Sequence, residues 1–341
     1  MRAVEYTEAG GPDVLAVVDR DRPEPARGQV LIEVVAAGLN RADVAQREGA
    51  YPPPRGASDI PGLEVSGRVI SCGEGSDVAV QELVGTEVVA LLAGGGYAEY
   101  VAVDARHTLP VPEGIDTVDA AGLIEVAATV HSNLRGEAGL TPQDNLLIHG
   151  GAGGIGTFAV QFVRAFRERF GSSASAEGSV HTIVTVGSQP KAEFALSNGA
   201  TEAVDHSSED FSQRVREITA GAGVDVLLDV VGAKYLEKNL TSLNRDGRMV
   251  VIGLQGGRKA ELDMGLMLGR RLRIIATTLR ARGDERKAEI VRGVAEEVWP
   301  LIESGKIVAH TDAVFELDKA REAHEYFDSG SHTGKVLLQM R

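Results

Sequence analysis

The spacing of apolar residues changes character near residue 120. Before it, short runs of alternating apolar and polar residues predominate. Residues 1–6, 14–19, 29–37 and 67–72 are predicted strands, separated by clusters of Gly, Pro and Asp. In the clearest of them Val30, Ile32 and Val34 lie on one face, followed by Ala36. Residues 41–48 read as a short helix ending at Gly49, and Tyr51 followed by Pro52, Pro53 and Pro54 forces an extended loop. Residues 84–92 and 96–103 add strand-like segments, and no internal repeat is visible.

After residue 120 strand-like and helix-like patterns alternate. Residues 118–134 read as helical. Leu146, Leu147 and Ile148 form a short apolar run, followed by Gly151, Gly153 and Gly156 in the spacing G-x-G-x-x-G, with Ala152, Gly154 and Ile155 between them. Phe158, Ala159, Phe162, Val163 and Phe166 then recur at helical spacing. Strand, glycine turn and helix in that order form a dinucleotide-binding unit. The first glycine permits the turn, the second admits the pyrophosphate, and the third packs helix on strand. The helix N-terminus offers free N–H groups to the phosphates. Further strands are predicted at 180–186, 203–205, 224–230, 248–253 and 272–277, with helices at 191–197, 211–219 and 235–243 between them. This is the alternation of a doubly wound parallel sheet, a Rossmann α/β fold. Residues 171–178, small and polar, read as a surface excursion. The tail is helical at 287–302 and 318–326 and ends in a strand at 335–340 that returns to the first domain.

The end of the second Rossmann strand decides between dinucleotides. A site for NAD places a carboxylate there, accepting from the ribose hydroxyls. This chain has Ser188 and Lys191, and no carboxylate before Glu193. A hydroxyl and a cation suit the 2′-phosphate of NADPH.

Composition narrows the function further. At 341 residues the chain is long enough for two domains, and its 43% apolar and 25% charged residues are those of an ordinary globular protein. A net charge of −14 argues against nucleic acid or an anionic membrane as partner. The N-terminus lacks the apolar core of a signal peptide, and no run of about 18 apolar residues exists. The expectation is a cytoplasmic enzyme. Cys72 is the only cysteine, so no internal disulfide and no four-cysteine zinc lobe can form. The eight histidines show no H-E-x-x-H spacing, and no G-x-S-x-G is present. No metal is expected. Hydride transfer would proceed without a Lewis acid, which suits an acceptor that is already easily reduced.

Several stretches carry a resemblance: Asn40-Arg41-Ala42-Asp43, Tyr51 to Pro54, Pro61-Gly62-Leu63-Glu64-Val65-Ser66-Gly67, Gly94 to Tyr100, and the turn at 149–156. Over nearly its whole length the chain resembles the zinc-independent quinone oxidoreductases, the zeta-crystallin-like branch of the medium-chain dehydrogenase/reductase superfamily. Within that branch it is most similar to the type induced by the tumour-suppressor response. Where zinc relatives carry G-H-E, Leu63 stands in place of the ligand histidine. The resemblance implies a GroES-like β-rich catalytic domain formed by residues 1–121 and 278–341, and a Rossmann NADPH-binding domain over 122–277. It implies a quinone bound in the cleft between domains, and a homodimer.

Carried over by position, Asn40 and Tyr51 fall where the family lines the substrate pocket and become the candidate catalytic residues. Thr129 falls beside the nicotinamide. Ser188, Lys191 and His206 fall at the 2′-phosphate. Gly253, Leu254, the segment Thr278, Leu279 and Arg280, and Lys335 fall on other segments the family uses around the cofactor. Three residues depart from the family pattern: Ile124 before Glu125, His206 in place of a tyrosine, and His332 in place of an asparagine. Two other functions fit a similar frame: an NADPH-dependent enoyl or alkenal reductase, and a protein that binds NADPH without catalysis.

Overall fold

The computed structural model describes residues 1–171 and 180–340. The surface excursion expected at 171–178 lies, beyond Gly171, outside the described residues. The chain divides into two compact units. Unit 1 is Met1–Ala128 with Leu279–Arg341, and unit 2 is Thr129–Thr278.

The described strands are β1 (Arg2–Tyr6), β2 (Leu15–Asp19), β3 (Gln29–Gly38), β4 (Glu64–Cys72), β5 (Glu87–Leu91), β6 (Tyr100–Asp104), β7 (Thr108–Pro110), β8 (Leu146–His149), β9 (Thr182–Val186), β10 (Glu202–Asp205), β11 (Val224–Asp229), β12 (Leu243–Val251), β13 (Arg273–Ala276), β14 (Thr311–Glu316) and β15 (Lys335–Gln339). The α-helices are α1 (Arg41–Arg47), α2 (Val78–Gln81), α3 (Thr117–Ala120), α4 (Ile124–Val130), α5 (Gly154–Phe170), α6 (Gln189–Ser197), α7 (Phe211–Ile218), α8 (Leu236–Ser242), α9 (Met264–Arg270), α10 (Asp284–Glu297), α11 (Trp299–Glu303) and α12 (Ala320–Asp328).

Unit 1 is built on a sheet in the order β14-β15-β3-β4-β5-β7, with β6 also pairing β3 and a separate β1–β2 hairpin. All its pairings are antiparallel except β14 with β15. Val30, Ile32 and Val34 point into one core, together with Val336 and Leu338. The register of β3 against β4 shifts between Val34 and Ala36. That bulge reverses the alternation. Ala36 therefore packs with Ala121 and Leu337 on the opposite face, and Ala37 rejoins the first core. Lys335, two residues from Leu337, shares its face and lies against Gly122.

Unit 2 is a parallel sheet in the order β10-β9-β8-β11-β12-β13. This is the doubly wound order that reverses beside its first strand, with the Gly-rich turn at that point. Phe158, Ala159, Phe162, Val163 and Phe166 form the buried face of α5.

Three elements differ from the sequence reading. Residues 118–134 are not one helix. They divide into α3 and α4, and from His131 to Glu137 the coil widens into a π-helix, with Ala138 N–H bonded to Asn133 O at 2.8 Å. β12 starts at Leu243, directly after α8, because an irregular step in β11 lets Val224 pair with Leu243. The edge strand β14 was hidden by its polarity, since every second residue is exposed and it carries Asp312 and Glu316.

Candidate functional site

The Gly-rich turn of unit 2 has the sterics of a phosphate cradle. Gly150 has φ of +74°, which closes the turn. A Cβ at Gly151 would strike Val184 of β9, and one at Gly156 would strike the Gly150 carbonyl. A Cβ at Gly153 would meet nothing nearer than 3.7 Å, so the turn is open at its middle glycine. Gly153 is also the N-cap of α5 and supplies no capping side chain, and Gly154 and Ile155 follow it half-buried. The first-turn N–H groups are thus available to an anion. Ala152 is buried within the turn.

His149, the last residue of β8, locks this turn from below. Its Nδ1 lies 2.9 Å from Thr185 Oγ1 and its Nε2 2.8 Å from Asn239 Oδ1. Burial holds its imidazole down at about 4, so it is neutral and joins β8, β9 and α8 without charge. Asp229 organises the turn after β11, accepting from Val231 N–H at 2.7 Å and Gly232 N–H at 3.0 Å.

The three candidates for the 2′-phosphate gather at the end of β9. Ser188 is the N-cap of α6, but its hydroxyl makes no capping hydrogen bond. Lys191 lies in the first turn of α6. The ring of His206 sits 3.6 Å from where a Cβ on Gly187 would be, and edge-on to Tyr235 at 6.3 Å. Gly253 follows β12, where a Cβ would meet the Val230 carbonyl at 2.7 Å, and Leu254 beside it is exposed. Thr129 is buried, and its carbonyl accepts from Asn133 Nδ2 at 2.8 Å. Asn133 in turn accepts from Thr277 Oγ1 at 2.6 Å, so the two ends of unit 2 are joined. Thr278 is the last residue of unit 2 and Leu279 the first of the returning segment of unit 1.

In unit 1 the structure brings Asn40 and Lys335 together around a carboxylate that sequence reasoning did not single out. Lys335 Nζ lies 2.7 Å from Glu64 Oε1, 2.8 Å from Asn40 Oδ1 and 2.7 Å from Leu39 O. Glu64 has no exposed side-chain surface and Lys335 only 8%. Asn40 Nδ2 donates to Glu64 Oε1 at 3.0 Å and to Gly38 O at 3.3 Å. Glu64 Oε2 accepts from Glu125 N–H at 2.9 Å. A Cβ on Gly38 would overlap the Glu64 carboxylate. Lys335 is thus placed within the buried network of unit 1. The available signal was a charged residue in the otherwise apolar start of a strand, because a buried charge implies a partner.

Asp43, three residues along α1, anchors the same segment. It accepts from Asn40 N–H at 2.8 Å, Gly62 N–H at 3.1 Å and Tyr97 Oη at 3.2 Å. Burial pushes its carboxyl up to about 6, against the pull of those donors. Tyr51 stands on a different support. The Arg280 guanidinium lies 5.5 Å from its ring centroid and donates to Tyr51 O at 3.3 Å, Ala93 O at 2.8 Å and Gln46 Oε1 at 2.7 Å.

A zinc site does not fit these residues. Leu63 is a buried hydrocarbon, and the Glu64 carboxylate is already held by an ammonium group. Among the described residues no group of three His, Cys, Asp or Glu is arranged to hold a metal.

Comparison with known proteins places this geometry. Residues 26–113 match the alcohol dehydrogenase GroES-like domain, and residues 198–338 match the zinc-binding dehydrogenase family. The chain is 32% identical over 339 residues to the quinone oxidoreductase of Salmonella typhimurium, covering 98% of each chain. The Escherichia coli quinone oxidoreductase solved in complex with NADPH superposes with a TM-score of 0.87 at 30% identity, over 100% of both chains. A mycobacterial protein solved with NADPH gives the same TM-score and identity, again over 100% of both chains.

Proposed function

The chain belongs to the quinone oxidoreductases of the medium-chain dehydrogenase/reductase superfamily, and from that premise we propose that it reduces quinones with NADPH. The observation that carries the reading is the Gly-rich turn, open at Gly153, in a chain similar along its whole length to quinone oxidoreductases. NADPH bound there supplies the hydride. The protein contributes phosphate binding at the first turn of α5, and Ser188, Lys191 and His206 at the end of β9. The free Ser188 hydroxyl and the absence of a carboxylate there support the preference for NADPH. Thr129, Gly253, Leu254, Thr278 and Leu279 complete the proposed cofactor contacts.

Asn40 and Tyr51 are the proposed substrate-facing polar residues. Asn40 is oriented from behind, with its oxygen held by Lys335 and one amide hydrogen by Glu64. Its long 3.3 Å bond to Gly38 is the one a quinone oxygen would displace. Lys335 thereby acts as a positioning residue rather than a cofactor ligand. The Tyr51 hydroxyl is the proposed source of the proton.

The test is steady-state turnover of NADPH and NADH with ortho-quinones and with 2-alkenals. Quinones with NADPH are expected to give the highest kcat/KM, and preference for 2-alkenals would move the assignment to an enoyl reductase. Lys191→Ala is expected to weaken NADPH about five- to thirtyfold and leave NADH nearly unchanged. Equal kcat/KM for the two cofactors in the unmodified enzyme would remove the proposed role of Ser188 and Lys191.

We further propose a homodimer formed at the free edge of unit 2. Among the described residues β13 pairs only β12, and Ile274, Leu268 and Met264 nearby are exposed. Such an edge is completed by a second copy across a two-fold axis. Sedimentation as a monomer at micromolar concentration would remove this proposal. No described helix is long and apolar enough to cross a membrane.

A further inference from the structure

Unit 1 carries a cavity of about 920 Å³ that none of Asn40, Tyr51, Glu64 and Lys335 lines. Its wall is formed by the loop around Ser58, by β6, and by the chain from Arg280 to Lys287 that enters α10. Its volume is that of a site for a metabolite-sized molecule.

Lys287 lines this cavity and is 5% exposed. It lies on the buried side of α10, and no carboxylate lies within ion-pair distance of its ammonium among the described residues. The nearest charges are Asp284, one turn earlier and not in contact, and Arg280, which adds repulsion. Burial together with Arg280 pulls the Lys287 ammonium below its ordinary value. Arg280, 4% exposed, also lines the cavity, and it donates to the neutral oxygens of Ala93, Tyr51 and Gln46. Of the three other carboxylates at the wall, Asp59 is paired with Arg20 at 3.1 Å and Asp104 with Arg106 at 2.7 Å, and Asp21 makes no ion pair among the described residues. Gly283 caps α10 without a side chain, so the N–H groups at the head of this 14-residue helix have no capping acceptor. Gly283 and Asp284 belong to the cavity wall. A buried cation without a counter-charge is unfavourable in isolation. Here it sits beside uncapped helix N–H groups, in a chain whose net charge is −14.

We propose that this cavity binds the oxyanion of a small molecule, a phosphate or a carboxylate, with Lys287 as its charge partner and the head of α10 as its hydrogen-bond donor. The remaining volume takes the body of the molecule against Ile60, Leu92 and Val101. The site is separate from the dinucleotide turn, which lies in the other unit.

The test is titration calorimetry on the full chain saturated with NADPH, so that the turn in unit 2 is filled. Inorganic phosphate and acetate are titrated in separate arms. One of them is expected to bind, and the tighter identifies the class of oxyanion. Lys287→Met is expected to weaken that anion at least about tenfold. It should also raise Tm in anion-free buffer, because an uncompensated buried charge has been removed. Lys287→Arg keeps the charge and is expected to retain binding. No heat from either anion would overturn the proposal. So would equal affinity in Lys287→Met, or complete loss in Lys287→Arg.

Discussion

At the scale of single residues, the ion pair of Glu64 and Lys335 decides most about the candidate site. Both groups are out of water, so each depends on the other and on Asn40, Leu39 and Glu125 for its hydrogen bonds. Removing one partner strands a buried charge, whereas removing both leaves a nearly neutral gap. Lys335→Met is therefore expected to destabilise by about 3–5 kcal/mol in urea unfolding, and adding Glu64→Gln should restore much of it. If the double variant is as unstable as the sum of both single variants, the two residues act independently and the network has been misassigned. The same substitution frees the Asn40 oxygen, so kcat should fall more than NADPH affinity. A role for Lys335 at the cofactor predicts the opposite split. Positional resemblance placed Lys335 on a cofactor segment. Its buried partners Leu39, Asn40 and Glu64 lie far along the chain, and the bulge in β3 sets Ala36 on the face of Leu337, neither of which a spacing rule reports.

At the scale of elements, the turn between β8 and α5 was legible because sterics act locally. Gly151 must clear Val184 and Gly156 must clear the Gly150 carbonyl, and both demands are met by residue type alone. Gly156→Ala is expected to lift α5 from the turn and weaken NADPH at least about tenfold, by moving the first-turn N–H groups that hold the phosphates. Circular dichroism should show the helix content retained, which separates loss of the site from loss of the fold. Undiminished NADPH binding in this variant would mean that α5 does not hold the phosphates. The strands of unit 2 were visible as apolar runs because both faces of a parallel sheet are covered. The π-helix after α4 was not visible, since helical spacing carries no mark of a wider coil. The partners of Asp43, Arg280 and Gln46 were equally hidden. Each of these residues acts through a partner far along the chain, Gly62 and Tyr97 for Asp43, and Tyr51 with Ala93 for Arg280.

At the scale of the whole molecule, buried titratable groups set how stability depends on pH. Each unit holds a histidine kept neutral by burial, His149 at about 4 in unit 2 and His324 at about 3 in unit 1. An unfolded histidine takes up its proton near about 6.5. Below that pH the unfolded chain binds protons that the folded chain refuses, so stability is present above about 6.5 and lost as pH falls through the folded values. Each histidine should contribute roughly 3–5 kcal/mol of such loss once the pH is below its folded value. Asp43 acts in the opposite direction. Its folded value of about 6 lies above that of an unfolded carboxylate, so its contribution grows as pH falls from about 6 to about 4. Two groups oppose one, and Tm is expected to fall between pH 7 and pH 4.5. His149→Gln keeps polar reach toward Thr185 and Asn239 but cannot titrate, so its Tm should fall less over that range. Asp43→Asn removes the opposing group and should fall more steeply. The proposed phosphate turn for NADPH lies in unit 2, so NADPH is expected to raise chiefly the part of a thermal trace that belongs to that unit. The NADPH-responsive part is the one His149→Gln should flatten and His324→Phe should leave alone. A slope in His149→Gln equal to that of the unmodified protein would mean that His149 is already protonated in the fold, and its place beneath the dinucleotide turn would need another account.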